Sequence, residues 1–121
     1  MFSGCLLFLA MMLTPTPNCD IPVQVLTNHV QLGPQLGLTL AYTTADGVYI
    51  EPEVYSRLWL LPNIIEHEAV HWNRWIRGAV NWENTYMEEL IATRGACEVA
   101  PVVSCQTSIA LLTAAARAEA E

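Results

Sequence analysis

The sequence contains no lysine, and none of its five arginines lies before Arg57. Twelve acidic residues give a formal net charge of −7 at pH 7. Because nucleic-acid binding depends on basic groups that neutralise phosphates, this charge pattern argues against a nucleic-acid partner. Charged residues make up only 14% of the 121 residues and hydrophobic residues 53%. We therefore expect extensive burial, either in the chain's own core or against a partner.

None of the four cysteines belongs to a Cys-x-x-Cys pair, which argues against a structural zinc ribbon and against a thioredoxin-like site. Cys97 and Cys105 can close a small disulfide loop, and so can Cys5 and Cys19. Buried free thiols are equally compatible with the sequence. The cysteines alone therefore do not distinguish an oxidising from a reducing compartment.

The chain also lacks an apolar run long enough to cross a membrane. The run over residues 5–13 falls short of the roughly 20 residues that a spanning helix needs, so no transmembrane span is expected. It has the length of a signal-peptide core, but no basic residue precedes it. We expect residues 1–19 to form an apolar N-terminal arm that docks on a protein partner or on the domain itself. An uncleaved signal-like segment is the alternative.

What the sequence does contain is a His-Glu-x-x-His motif within residues 66–72. His67 and His71 are four residues apart, which places both imidazoles on one face of a helix. Neutral imidazoles at this spacing bind a divalent metal, usually zinc, and Glu68 between them is placed to act as general base. Chance placement of two histidines on an amphipathic helix is the alternative.

Local signals predict a helix around this motif, over about residues 64–77. Asn63 is a suitable N-cap and Glu66 completes a capping-box pair with it. Gly78 is a natural residue to follow the last turn. Before this helix, residues 53–61 are predicted to form a short helix of their own.

Strand-forming residues lie upstream of the motif. Residues 38–44 alternate apolar and polar, Gly47 allows a tight turn, and residues 48–51 form a second strand, which together predict a β-hairpin. Residues 21–25 are predicted to form a short strand, in which Pro22 requires either an edge position or a place among the first residues. The hairpin either offers an edge to which a substrate peptide can add, or merely covers the core.

A second predicted helix follows the motif and ends at Gly95. Thr85 as N-cap places Glu88 at the third helical position, where a capping box would occupy it. That interpretation leaves Glu89 free to face a metal as the third ligand, and the small side chain of Ala92 permits close approach of the two helices.

The His-Glu-x-x-His motif, followed by Glu-Glu-x-x-Ala over residues 88–92, resembles the gluzincin-type (HExxH…E) zinc metallopeptidases. The resemblance covers about residues 38–95 and is closest to minimal phage- or bacterium-encoded zincin-like domains. It implies Zn²⁺ as cofactor and peptides or proteins as substrates, with cell-wall peptides as one candidate. By this resemblance the metal ligands are His67, His71 and Glu89, and the catalytic base is Glu68.

The resemblance implies an α+β fold, in which a hairpin or short sheet packs on the metal helix and on a following helix that carries the glutamate. Residues 20–121 are expected to form this single zincin-like domain, ending in a C-terminal helix. A non-catalytic or structural component of a larger assembly, such as a phage virion or tail, is the alternative to a metalloendopeptidase. Either function favours a virion-associated or extracytoplasmic location.

The chain departs from the larger gluzincins around the expected ligands. Those enzymes carry an aspartate four residues after the ligand glutamate, which orients a histidine, and here that position is Thr93. Glu83 and Asn73 are the alternative residues to orient the imidazoles. Tyr86 and His29 are the two candidates for stabilising an oxyanion.

Overall fold

A computed structural model describes residues 1–27 and 40–121. Within this part of the chain, a four-stranded mixed sheet and four α-helices confirm the predicted α+β class. In chain order the elements are β1 (Phe2–Ser3), α1 (Gly4–Ala10), β2 (Pro22–Val25), β3 (Ala41–Thr44), β4 (Gly47–Ile50), α2 (Leu61–Ile76), α3 (Thr85–Val99) and α4 (Cys105–Ala120).

The sheet has the strand order β1-β2-β4-β3. The β3–β4 pair is the predicted hairpin, with Tyr42 opposite Tyr49, whereas β2 runs parallel to β4. Gly47 begins β4 at a φ of +143°, and a side chain there would collide with the carbonyl oxygen of Pro22. This turn therefore requires glycine. Residues 38 and 39 of the predicted strand, and His29, lie outside the described residues.

The N-terminal segment packs on the domain itself. β1 pairs antiparallel with β2, and α1 buries Leu7 and Phe8 in the same core as the sheet. A disulfide between Cys5 and Cys19 ties α1 to the segment that leads into β2. Among the described residues, no helix combines the length and the apolar character that crossing a membrane requires.

Helix α2 begins earlier than predicted, and the predicted cap at Asn63 is wrong. Pro62 lies in the first turn, where its missing N–H costs no hydrogen bond, so the helix starts at Leu61. The side-chain amide of Asn63 instead donates to the carbonyl of Ala100 at the end of α3. Glu66 is buried and accepts two hydrogen bonds from Asn18.

The segment before α2 also differs from the prediction, because two short 3-10 turns replace the expected helix over residues 53–61. They cover Pro52–Ser56 and Leu58–Leu60. At the other end of α2 the prediction is confirmed. Gly78 has a φ of +66° and follows the last turn, where the N–H of Ala79 donates to the carbonyl of Arg74.

Helix α3 continues through Gly95, so the predicted end there is wrong. A side-chain carbon at Gly95 would lie 3.0 Å from Val70, which shows that glycine serves close packing of α3 on α2 rather than termination. A disulfide between Cys97 and Cys105 joins α3 to α4. All four cysteines are paired, which resolves the alternative that the sequence left open.

Candidate metal centre

The packing of α3 on α2 brings three electron-pair donors together. The Nε2 atoms of His67 and His71 lie 3.1 Å apart. Oε2 of Glu89 lies 3.0 Å from Nε2 of His67, and Oε1 of Glu89 lies 3.1 Å from Nε2 of His71. The predicted ligand set therefore converges on one point, and these three residues can hold a metal ion.

The donor triangle fits a divalent metal in size and in chemistry. Metal–ligand bonds of about 2.0–2.1 Å at a tetrahedral angle would place ligand atoms about 3.3 Å apart, close to the 3.1 Å between the two Nε2 atoms and to the 3.0 and 3.1 Å from each of them to its nearer Glu89 oxygen. A neutral imidazole carries one N–H. The Nδ1 atom of His71 lies 2.9 Å from a carboxylate oxygen of Glu88, so the proton is assigned to Nδ1 and the lone pair of Nε2 points into the triangle.

Glu88 is part of this centre and not a helix cap. It is buried, and one carboxylate oxygen accepts from Nδ1 of His71 while the other accepts from Nε of Arg74 at 2.8 Å. Thr85 is the first residue of α3 and not its N-cap, and the Glu88 carboxylate bonds His71 and Arg74, so the predicted capping box at Thr85 is wrong. A carboxylate behind a ligand histidine fixes its tautomer and raises its basicity.

Thr93 lies behind the other histidine. Its Oγ1 is 3.4 Å from Nδ1 of His67, so the position of the expected aspartate still contacts the imidazole, through a neutral hydroxyl. Within the described part of the chain, the hydrogen bonds of the two imidazoles do not involve the alternative candidates Glu83 and Asn73.

Glu68 lies beside the donor triangle with only 5% of its surface exposed. Its Oε2 accepts a hydrogen bond of 2.5 Å from the hydroxyl of Thr43. Thr43 belongs to β3, so this contact ties the candidate base on α2 to the edge strand of the hairpin.

A cleft of about 590 Å³ opens over these residues. β3 forms one wall, and the face of α2 that carries His67, Glu68 and His71 forms the floor. The lining residues that the structure describes include no lysine or arginine. Tyr86 is not among them, and its backbone N–H bonds Glu119 instead.

The electrostatics of the centre follow from this packing. Burial lowers the pKa of His71, but the hydrogen bond and charge of Glu89, with smaller contributions from Glu68 and Glu88, raise it to about 9. Burial raises the pKa of the Glu89 carboxyl, but hydrogen bonds from His67 and His71 outweigh this and hold that pKa well below its usual value. Protons therefore compete with a metal for His71.

The sequence predictions missed the roles of Thr43, Glu88 and Arg74. Arg74 lies three residues after His71, a spacing that shares a helix face and could have indicated it. Side chains alternate along a strand, so the sequence could have placed Thr43 on the same face of β3 as Ala41, and both residues line the cleft. The sequence prediction assigned Glu88 to a capping box, and its contact with His71 was therefore not predicted.

Comparisons with protein-family models, with curated proteins and with solved structures found no match to this chain. The resemblance to gluzincins therefore rests on the sequence motifs alone.

Proposed function

We propose that this chain is a zinc metalloendopeptidase with a minimal gluzincin-like, zincin-like domain. The convergence of two imidazole nitrogens and the Glu89 carboxylate beside the buried Glu68 is the observation that carries this proposal. Two histidines and one carboxylate, with room left in a cleft, form a donor set typical of catalytic zinc. Peptides or proteins are the substrates, and cell-wall peptides are one candidate class.

The metal ligands are His67, His71 and Glu89 in this proposal. When bound, zinc supplies Lewis acidity, which acidifies water and polarises a carbonyl group. The same donor types also suit iron(II), so elemental analysis of the purified protein decides the metal. Glu88 and Thr93 keep the Nδ1 atoms of the two imidazoles occupied, which leaves both Nε2 lone pairs for the metal.

Glu68 is the general base. Thr43 holds one of its carboxylate oxygens, which fixes the orientation of the group and leaves the other oxygen to take the proton of the attacking water. Protonated Glu68 then returns that proton to the amine leaving group. The carboxylate thus ends the cycle in the state in which it began.

β3 is placed to position the substrate. Within the described residues it is an edge strand of the sheet and pairs only with β4. An extended peptide can add to such an edge through backbone hydrogen bonds. This supports the substrate-binding interpretation of the hairpin over a merely core-covering one.

Replacement of Glu68 tests the proposal. Glu68→Gln should keep the metal content and reduce casein hydrolysis on the order of 10²–10⁴-fold, because only proton transfer is lost. Chelation should abolish the wild-type activity, and added zinc should restore it. Glu98→Gln, an exposed change on α3, is the matched control and should behave as wild type. Undiminished hydrolysis by the Glu68→Gln protein would contradict the assignment of the base.

A structural role in a larger assembly, such as a phage virion or tail, is the second candidate. The exposed side chains of Leu6 and Leu9 on α1, and of Met12 just after it, favour it, because a protein partner would cover them. The two disulfides support a virion-associated or extracytoplasmic location for either function. Stoichiometric metal without hydrolysis of casein or peptidoglycan would favour this second candidate.

A further inference from the structure

The cleft ends in an aromatic corner beyond the metal centre. Trp75 lies four residues after His71, one turn along the same face of α2. Trp82, from the connection between α2 and α3, meets it edge to face with ring centroids 4.9 Å apart. Both rings line the cleft, and Trp82 is 66% exposed although it is a large apolar side chain.

The charges around this corner restrict what can bind. The lining residues described by the structure include three carboxylates, Glu68, Glu88 and Glu89, and no lysine or arginine. Beside Trp75 and Trp82, the described lining residues offer no lysine or arginine that could pair with an acidic side chain of a substrate. The described lining of this corner therefore favours an uncharged side chain over an acidic one.

We propose that the Trp75–Trp82 corner is a subsite for a large apolar or aromatic side chain of an internal peptide segment. This inference rests on the proposed peptidase function and names the substrate class of the same site. The corner is continuous with the metal centre through the turn from His71 to Trp75. A peptide added to β3 would present alternate side chains to one face, and Tyr42 and Thr43 of β3 line the same cleft as the two tryptophans.

The preference for one side chain over another isolates the subsite. A panel of end-blocked, internally quenched peptides that differ at one position, Phe, Leu, Asn or Asp, is assayed with the zinc-loaded protein. Wild type should cleave the Phe peptide at least about tenfold more efficiently, by kcat/KM, than the Asp peptide. Trp82→Ala should lower this ratio about tenfold, and Trp82→Phe should largely keep it.

Trp59→Ala is the matched control, because Trp59 is also exposed but does not line the cleft. It should leave the ratio unchanged. A second readout is the anisotropy of a labelled Phe peptide on the zinc-loaded Glu68→Gln protein, where the additional Trp82→Ala change should weaken binding about tenfold. Circular dichroism and zinc content of each variant show that it is folded and loaded.

Two results would overturn the inference in different ways. Equal Phe-to-Asp ratios in wild type and in the Trp82→Ala protein, with hydrolysis retained, would remove the subsite and leave the peptidase. Failure of the zinc-loaded wild type to cleave any peptide of the panel or casein would overturn the proposed function, and the subsite with it.

Discussion

The polar side chains on the two faces of helix α2 differ in their hydrogen-bond partners. On the core face, among buried Leu61, Ile65 and Ala69, the carboxylate of Glu66 is 1% exposed and takes a hydrogen bond on each oxygen from Asn18. On the cleft face, the inward atoms of the two histidines have one another and Glu89 as neighbours.

This difference distinguishes Glu66, whose role is structural, from the side chains of the proposed metal site. The acceptor on the core face is fully satisfied by donors of the same chain, which is the usual solution for a buried carboxylate. The two Nε2 atoms lie 3.1 Å apart, each 3.0–3.1 Å from one oxygen of Glu89, and lone pairs this close are unfavourable unless a proton or a cation lies between them. This arrangement supports the proposed metal site, and variants on each face should have different consequences.

The largest expected effect on metal binding comes from Glu89→Ala. It removes one of three ligands, so zinc affinity should fall by more than the roughly 10–100-fold that loss of an outer-shell partner costs. Hydrolysis should fall with it. Affinity is measured by competition with a chromophoric chelator, and stability by denaturant unfolding of the metal-free protein. Stoichiometric, tight zinc in this variant would remove Glu89 from the ligand set.

Glu66→Ala is the control from the opposite face of the same helix. It breaks two hydrogen bonds to a buried carboxylate, so the free energy of unfolding should fall by roughly 1.5–3 kcal/mol. Zinc stoichiometry should stay unchanged, because Glu66 does not contact the donor triangle. The pair of variants thus separates metal binding from stability, and similar changes in both would contradict the comparison.

Glu88→Ala should have the next largest effect. It leaves the ligands in place but removes the acceptor for Nδ1 of His71 and the partner of Arg74. Zinc affinity should fall roughly 10–100-fold. Glu83→Ala, an exposed change in the connection before α3, is the matched control. A loss of stability with unchanged zinc affinity would instead support the capping role that the sequence suggested.

The parts of the centre that depend on local spacing were predictable. The i, i+4 histidines, Glu68 between them and Gly78 at the helix end are set by α-helical geometry alone, and the structure places them accordingly. Glu89 was also predicted, but partly through a capping role for Glu88 that the structure contradicts. The choice between two adjacent glutamates depends on how α3 rotates against α2, which no local signal contains.

Non-local contacts account for the other differences. Asn63 and Glu66 have the spacing of a capping box, but the helix starts earlier because Pro62 fits its first turn. The two side chains instead form hydrogen bonds with residues distant in the sequence, Asn63 with Ala100 and Glu66 with Asn18. The parallel pairing of β2 with β4 joins segments that lie far apart in the sequence. Local propensity cannot specify such pairings, because their energy comes from burial in the assembled core.

The smallest expected effect is that of removing the hydrogen bond between Thr43 on β3 and Glu68 on α2. Thr43→Val removes the hydroxyl that donates to Glu68 at nearly constant volume, so kcat should fall about tenfold while KM and zinc content stay the same. Thr43→Ser should restore kcat. Thr44→Val is the neighbouring control. Among the described contacts, the Thr44 hydroxyl bonds only the backbone of the hairpin turn, at Asp46 and Gly47. An equal loss of kcat in both valine variants would indicate a damaged hairpin, whereas a loss confined to position 43 would assign orientation of the base to the edge strand.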